Sequence, residues 1–157
     1  MGITHISGNI YLDVNVFIYL LEGYPEFSKV LSDLMVYIDQ GSVHAVTSEL
    51  SLAEILVKPI KDRHLALQSL YENTIQTTSN LTVYPVSRDI LIEAAKFRAK
   101  FINRENSIRL PDAIHLATAH LYQCKYFITN DAGLKNSPID LQVLLLSEIK
   151  NSSLVLI

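Results

Sequence analysis

Short apolar runs alternate with helix-patterned segments along almost the whole chain, and that alternation leaves few architectures open. Ile10 to Leu12 reads as a buried strand, followed by the apolar run Val16 to Leu21. By periodicity alone that run fits strand or helix, but Asp13 and Asn15 before it are good N-caps, so a helix is expected. Phe27 to Gln40 places Val30, Leu31, Leu34 and Ile38 at helical spacing, and Gly41 stops it. Val43 to Val46 is a second strand. Thr47 and Ser48 offer caps for a helix through Val57 that ends before Pro59. A further helix is expected from Ile60 to Asn73, then a polar loop from Thr74 to Asn80. Leu81 to Val86 is extended, with Pro85 placing it near an edge or an end. Ser87 caps a helix from Asp89 to about Asn103. Arg104 to Arg109 reads as a polar loop, and Pro111 fits the first turn of a helix reaching about Gln123. Tyr126 to Thr129 is a strand, Asn130 to Gly133 has turn chemistry, and Leu141 to Leu146 is a last strand. Strands separated by helices imply a mostly parallel sheet covered on both faces.

The length of 157 residues suits a single domain over 1–157 with a proper core. Hydrophobic residues at 49% against 18% charged mark a globular chain rather than a disordered one. The net charge of −3 excludes a globally basic nucleic-acid binder but leaves room for a local basic surface. One cysteine, Cys124, can form no internal disulfide and no Cys/His zinc site, which suits a reducing compartment. There is no secretory pattern at the start and no run of about 18 apolar residues, so a cytoplasmic protein without a membrane span is expected.

Four acidic residues carry the chemical signal. Asp13 and Asp131 follow apolar strands, at the carboxyl ends where open α/β sheets place their sites. Taken singly, Asp13 reads as a helix cap and Asp131 as a turn former. Glu54 shares a helical face with Leu50 and Val57, an unusual place for a charge, whereas Glu49 lies in a first turn that favours a carboxylate through the helix dipole and reads as structural. Asp112 opens a helix that is apolar nearly all round and therefore buried, so its N-terminus can point into a pocket. His115, three residues on, could hydrogen-bond to Asp112; it reads as a structural hydrogen-bonding residue rather than a ligand. Carboxylates beside apolar surface cost free energy unless compensated, and a hard divalent cation bound by oxygens would compensate them.

The blocks Leu12-Asp13-Val14-Asn15, Ser48 to Glu54, Leu110 to Ala119 and Ile128-Thr129-Asn130-Asp131, in that order, make the chain resemble the PIN-domain family, and within it the VapC-type ribonuclease toxins. The block around Asp112 is the most specific of these. The resemblance implies a PIN-like three-layer α/β/α fold with a central, mostly parallel sheet. It implies an acidic pocket holding Mg²⁺ or Mn²⁺, with Asp13, Glu54, Asp112 and Asp131 as catalytic and metal residues and Asn15 and Thr129 supporting them. It also implies cleavage of RNA, an antitoxin protein as partner and a homodimer, to which Val16 to Leu21 and Val30 to Ile38 could contribute unless they belong to an ordinary core. Val14 departs from the family, which often has Thr there.

Nine of the thirteen basic residues fall between Lys58 and Arg63 or between Arg88 and Arg109. Lys96, Arg98 and Lys100 read at least as well as a solvated helix face. Arg104 and Arg109, in the loop leading into Asp112, are the better candidates for RNA phosphates. A signalling receiver domain fits poorly, because Asp13 has no acidic neighbour and Lys135 is badly placed. A PIN-fold module that binds RNA or protein without cutting it is the remaining alternative.

Overall fold

The computed structural model describes residues 2–101, 107–136 and 140–157. In chain order the elements are β1 (Ile3–Ile6), β2 (Asn9–Leu12), α1 (Val14–Leu21), a 3₁₀ turn (Pro25–Phe27), α2 (Ser28–Asp39), β3 (His44–Ser48), α3 (Leu50–Ile55), α4 (Val57–Lys61), α5 (Leu65–Thr77), β4 (Leu81–Tyr84), α6 (Arg88–Phe101), α7 (Leu110–Leu121), β5 (Tyr126–Thr129), β6 (Gln142–Leu145), α8 (Leu146–Ile149) and β7 (Ser153–Leu156).

Five strands form one parallel sheet in the order β4-β3-β2-β5-β6. A separate two-stranded parallel pair joins β1 to β7 near the chain ends. Successive strand side chains point to opposite faces, and here both faces are covered. Ile10, Leu12, Ala45, Tyr126, Ile128 and Leu144 pack with α1, α2 and α5 on one side. Tyr11, Val46 and Phe127 pack with Ile90, Ala94 and Phe97 of α6 and with α7 on the other. That is the three-layer α/β/α arrangement the alternation implies. Val16, Phe17, Val30, Leu31, Leu34 and Ile38 are all buried inside it, so the apolar stripes of α1 and α2 are ordinary core.

The chain leaves β2 in one direction towards β3 and β4, and later returns on the other side of β2 as β5 and β6. The carboxyl ends of β2 and β5 therefore flank the point where the winding reverses, which is where a crevice forms in an open α/β sheet. The register pairs Leu12 with Ile128, so Asp13 and Thr129 emerge side by side.

Sequence expectations differ from the structure around Pro59 and from Thr74 onward. Pro59 does not stop a helix. It lies inside α4, in a first turn where its missing N–H would have no intrahelical partner. The helix is interrupted at Leu56, between α3 and α4, and again after Lys61, with Arg63 at φ 55°; α5 begins at Leu65, where the His64 side chain accepts a hydrogen bond from Leu67 N. The polar residues from Thr74 continue that helix to Thr77, because Ile75 sits one turn beyond Tyr71 and both are buried against the sheet. The end expected near Asn103 falls outside the described residues; α6 is described to Phe101.

Phe127 is fully buried and stacks on Tyr11 with centroids 4.8 Å apart. Phe127→Ala is expected to cost about 3–5 kcal/mol of stability, whereas Val57→Ala, at a position 63% exposed, should stay within about 0.5 kcal/mol. Urea denaturation monitored by circular dichroism checks both.

Candidate active site

Asp13 ends β2 and caps α1. Its Oδ1 accepts from Val14 N at 2.8 Å, and its Oδ2 accepts from Thr129 Oγ1 at 2.7 Å. Thr129 Oγ1 also accepts from Asp131 N at 3.0 Å and from Asn15 Nδ2 at 3.4 Å. Asn15 Oδ1 in turn accepts from Asn130 N at 3.1 Å. Asn15 and Thr129 thus knot the ends of β2 and β5 together, and the Thr129 hydroxyl fixes one face of the Asp13 carboxylate. Burial pushes the Asp13 carboxyl above its ordinary value; the His115 field and the Thr129 and Val14 hydrogen bonds oppose this, while nearby Glu54 adds to it.

Asp131 shapes its own turn, Oδ1 accepting from Gly133 N at 2.9 Å. A Cβ at Gly133 would lie 3.1 Å from that oxygen, so a glycine there gives the carboxylate room. Asp112, in the first turn of α7, accepts from Arg109 Nε at 3.0 Å. The other end of the same guanidinium, Nη2, lies 3.8 Å from Asp131 Oδ2. Arg109 therefore bridges two of the four acids, and its charge is held by Asp112 first, then by Asp131 and Glu54. Ser107, Ile108, Arg109, Asp112, Asp131, Gly133 and Leu134 line an open cleft of about 310 Å³ at this point.

Glu54 does not sit on a buried stripe. The buried face of α3 is Ser51 and Ile55, while Val57 is exposed. Glu54 turns towards α7, where its Oε1 accepts from His115 Nε2 at 2.5 Å. The possible His115–Asp112 bond is thus replaced by a His115–Glu54 bond. An (i, i+3) spacing puts residues on neighbouring helix faces, but His115 points into the core at 2% exposure whereas Asp112 points to the cleft. Glu49 stands just before α3 and makes no side-chain cap, so its structural reading rests on position alone. Arg104 lies outside the described residues.

The four acids meet in one neighbourhood as two coupled pairs. Asp13 and Glu54 influence each other on one side, while Asp112 and Asp131 are bridged by Arg109 on the other. Among the described residues no three acidic, histidine or cysteine side chains are close enough to share an ion as they stand. The donor chemistry is nonetheless that of a hard cation, all carboxylate oxygen. The place between Asp112 and Asp131 is also already one of positive charge, held by a side chain that is 74% exposed and joined through surface ion pairs that contribute little net stability. Asp112 and Asp131 are thus the two carboxylates of the four that share a cation in this structure.

Residues 10–139 match the PIN domain family. The chain belongs to the PIN domain family. Among solved structures it resembles the VapBC2 complex of Rickettsia felis bound to a promoter DNA fragment, with TM-score 0.71, 17% identity, and coverage of 87% of this chain and 98% of that one. It also resembles the DNA-bound VapBC of Salmonella typhimurium (TM-score 0.66, 16% identity, 88% and 98% covered). A third likeness is to VapC20 of Mycobacterium tuberculosis, described as a toxin that cleaves the sarcin–ricin loop (TM-score 0.64, 13% identity, 85% and 98% covered). Among curated proteins there is no significant match. The chain carries its four candidate acids in four separate segments that come together beyond the carboxyl ends of the central strands. No helix among the described residues is long and apolar enough to cross a membrane.

The raised carboxyl of Asp13 has a stability consequence of definite sign. Below the ordinary carboxylate value of 3.8 both folded and unfolded states hold the proton, so Asp13 imposes no charge penalty. As pH rises through the higher folded value, the native state must ionise a buried group, and stability declines relative to a chain without it. In chelator, the stability of Asp13→Asn relative to the parent is therefore expected to improve as pH rises above the ordinary carboxylate value of 3.8 and to level off once the folded group has ionised. Denaturant midpoints across that range read it, and a constant difference would show that Asp13 is not the group responsible.

Proposed function

We propose that this PIN domain is a metal-dependent endoribonuclease, a single nuclease unit over residues 1–157 that acts as the toxin of a toxin–antitoxin pair in the cytoplasm. One observation carries the reading. Asp13, Glu54, Asp112 and Asp131, far apart in sequence, come to the crevice at the winding reversal, and Arg109 lies among them as a counter-cation. Family membership supports a nuclease. The likeness to VapBC complexes supports an antitoxin partner, and the likeness to a toxin described as cleaving the sarcin–ricin loop supports RNA, single-stranded or structured, as substrate; a homodimer is part of the same proposal.

When bound, Mg²⁺ or Mn²⁺ would supply a Lewis acid for a phosphate oxygen and a lowered pKa for water. Asp112, Asp131 and Asp13 would be its nearer holders, directly or through water, with Glu54 orienting the attacking water or holding a second ion. Thr129 holds Asp13 in one orientation, and Asn15 keeps the segment before Asp131 in place. Arg109, released from the carboxylates, can turn to a phosphate of the RNA; Arg104, outside the described residues, is proposed for the same role. Because water rather than the ribose 2′-hydroxyl attacks, the products carry a 5′-phosphate and a 3′-hydroxyl. The alternative is a catalytically silent PIN-fold module binding RNA or protein, which the spacing of the acids favours, since among the described residues no three stand close enough to share an ion.

Cleavage of single-stranded RNA in Mn²⁺ or Mg²⁺ is expected to stop with chelator and to fall at least about 100-fold in Asp13→Asn and Asp112→Asn. Residual cutting that is equal in parent and variants would establish the silent module instead, and cyclic-phosphate ends would reject attack by water. Arg109→Ala is expected to bind Mn²⁺ more tightly by calorimetry, because the competing cation is gone. The same variant should bind RNA more weakly, with a salt dependence shallower by about one phosphate contact.

A further inference from the structure

The α6–α7 face of the sheet holds a buried polar pair that the cleft does not account for. Tyr11 is fully buried in the middle of the sheet, and His115 is 2% exposed on the core face of α7. The Tyr11 hydroxyl lies 2.6 Å from His115 Nδ1, and His115 Nε2 lies 2.5 Å from Glu54 Oε1. Phe127 stacks on the tyrosine ring, the buried residues of α7 on either side of His115 include Ile114 and Leu116, and the buried Thr47 side chain also hydrogen-bonds to Tyr11. Placing a phenol and an imidazole in such a cluster costs free energy unless each polar atom is bonded, and among the described residues every buried side-chain polar atom has a partner. The chain of bonds leaves the core at one place, the Glu54 carboxylate.

The direction of the bonds follows from the inventory of donors. An ionised carboxylate only accepts, so His115 Nε2 carries the hydrogen and donates it to Glu54. A ring with that one hydrogen presents a lone pair at Nδ1, which the Tyr11 hydroxyl meets as donor. Burial pushes the Tyr11 hydroxyl well above its ordinary value, so it keeps the hydrogen that it donates.

We propose that Tyr11 and His115 form a buried relay that positions the Glu54 carboxylate, fixing Oε1 from below and leaving Oε2 turned to the cleft for water or a cation. Glu54 needs such a device because it stands on a helix of six residues and its side chain is 37% exposed. Without the relay a long, exposed carboxylate samples several rotamers, only some of which face Asp13 and Arg109. With it, three elements (β2, α7 and α3) hold one oxygen in one place. Tyr11 and His115 are positioning residues, touching neither the cleft nor its contents. The kinetic consequence of this role rests on the nuclease reading, whereas the bond chain itself does not.

Two measurements on the full chain test it. In ¹⁵N-edited histidine spectra, His115 is expected as the tautomer with hydrogen on Nε2, with a strongly deshielded proton that moves upfield or is lost in Glu54→Ala. A ring with its hydrogen on Nδ1, or an Nε2 proton indifferent to Glu54→Ala, overturns the relay whether or not the chain cuts RNA. In cleavage assays, Tyr11→Phe, which keeps the ring on Phe127, is expected to lower kcat roughly tenfold with KM for RNA unchanged. Its effect should largely vanish in the Glu54→Ala background. A Tyr11→Phe effect of full size in that background assigns the loss to general destabilisation and overturns the positioning role. A parent chain that cuts no RNA in Mg²⁺ or Mn²⁺ defeats the nuclease reading alone, and the spectra still decide the relay.

Discussion

Parallel pairing of β2 with β5 is the constraint on which the rest depends. These strands are 116 residues apart where Asp13 meets Thr129, yet Tyr11 pairs with Phe127 and Leu12 with Ile128 in a fixed register. A slip of one residue would turn every side chain to the opposite face. Ile10, Leu12, Tyr126 and Ile128 would then leave the α1–α2–α5 layer, and Tyr11 and Phe127 would leave the α6–α7 layer. Because both faces are buried, that slip is strongly disfavoured, and the register delivers Asp13 and Thr129 to within a hydrogen bond of each other. The Thr129 hydroxyl then orients Asp13, receives the N–H of Asp131 and meets Asn15, so packing in the core is translated directly into geometry at the sheet edge.

The same sheet supplies the acids from both of its covering layers. Asp13 and Asp131 come from strand ends, Asp112 from the start of α7 and Glu54 from α3. Crowded carboxylates repel one another, and the structure answers with cations and donors of its own: Arg109 across Asp112 and Asp131, His115 against Glu54, and two hydrogen bonds on Asp13. The internal compensation is uneven. Arg109 is exposed and easily exchanged, whereas His115 is locked in the core. That difference separates a replaceable counter-charge, Arg109 across Asp112 and Asp131, from a fixed hydrogen-bond donor, His115 against Glu54. Cys124, the one thiol, plays no part: it is buried, and burial pushes it up to about 12.

Much of the fold was legible in the linear pattern. The five sheet strands fall within a few residues of their apolar runs, because a strand buried on both faces must be continuously apolar and short. The cap at Asp13 and the stop at Gly41 are local chemistry and appear where expected. Errors came where a local rule met a tertiary demand. Pro59 was tolerated in a first turn, and the polar run from Thr74 was drawn into α5 by the burial of Ile75. The pairing of β1 with β7 had no local signal, since a strand of four residues at each end of a chain says nothing about its partner.

For the candidate site, the residue types and their order along the chain are written in the sequence, because strand ends, first turns and acidic blocks are local features that a resemblance to PIN domains can match position by position. The partners are not. That His115 holds Glu54 rather than Asp112, that Tyr11 stands behind His115, and that Arg109 spans Asp112 and Asp131 were decided only when helices and strands distant in sequence packed at fixed angles and registers. Spacing along one helix gives the face a residue occupies; which side chain faces it from another element depends on close packing of the whole core, a property of the folded chain and not of any segment.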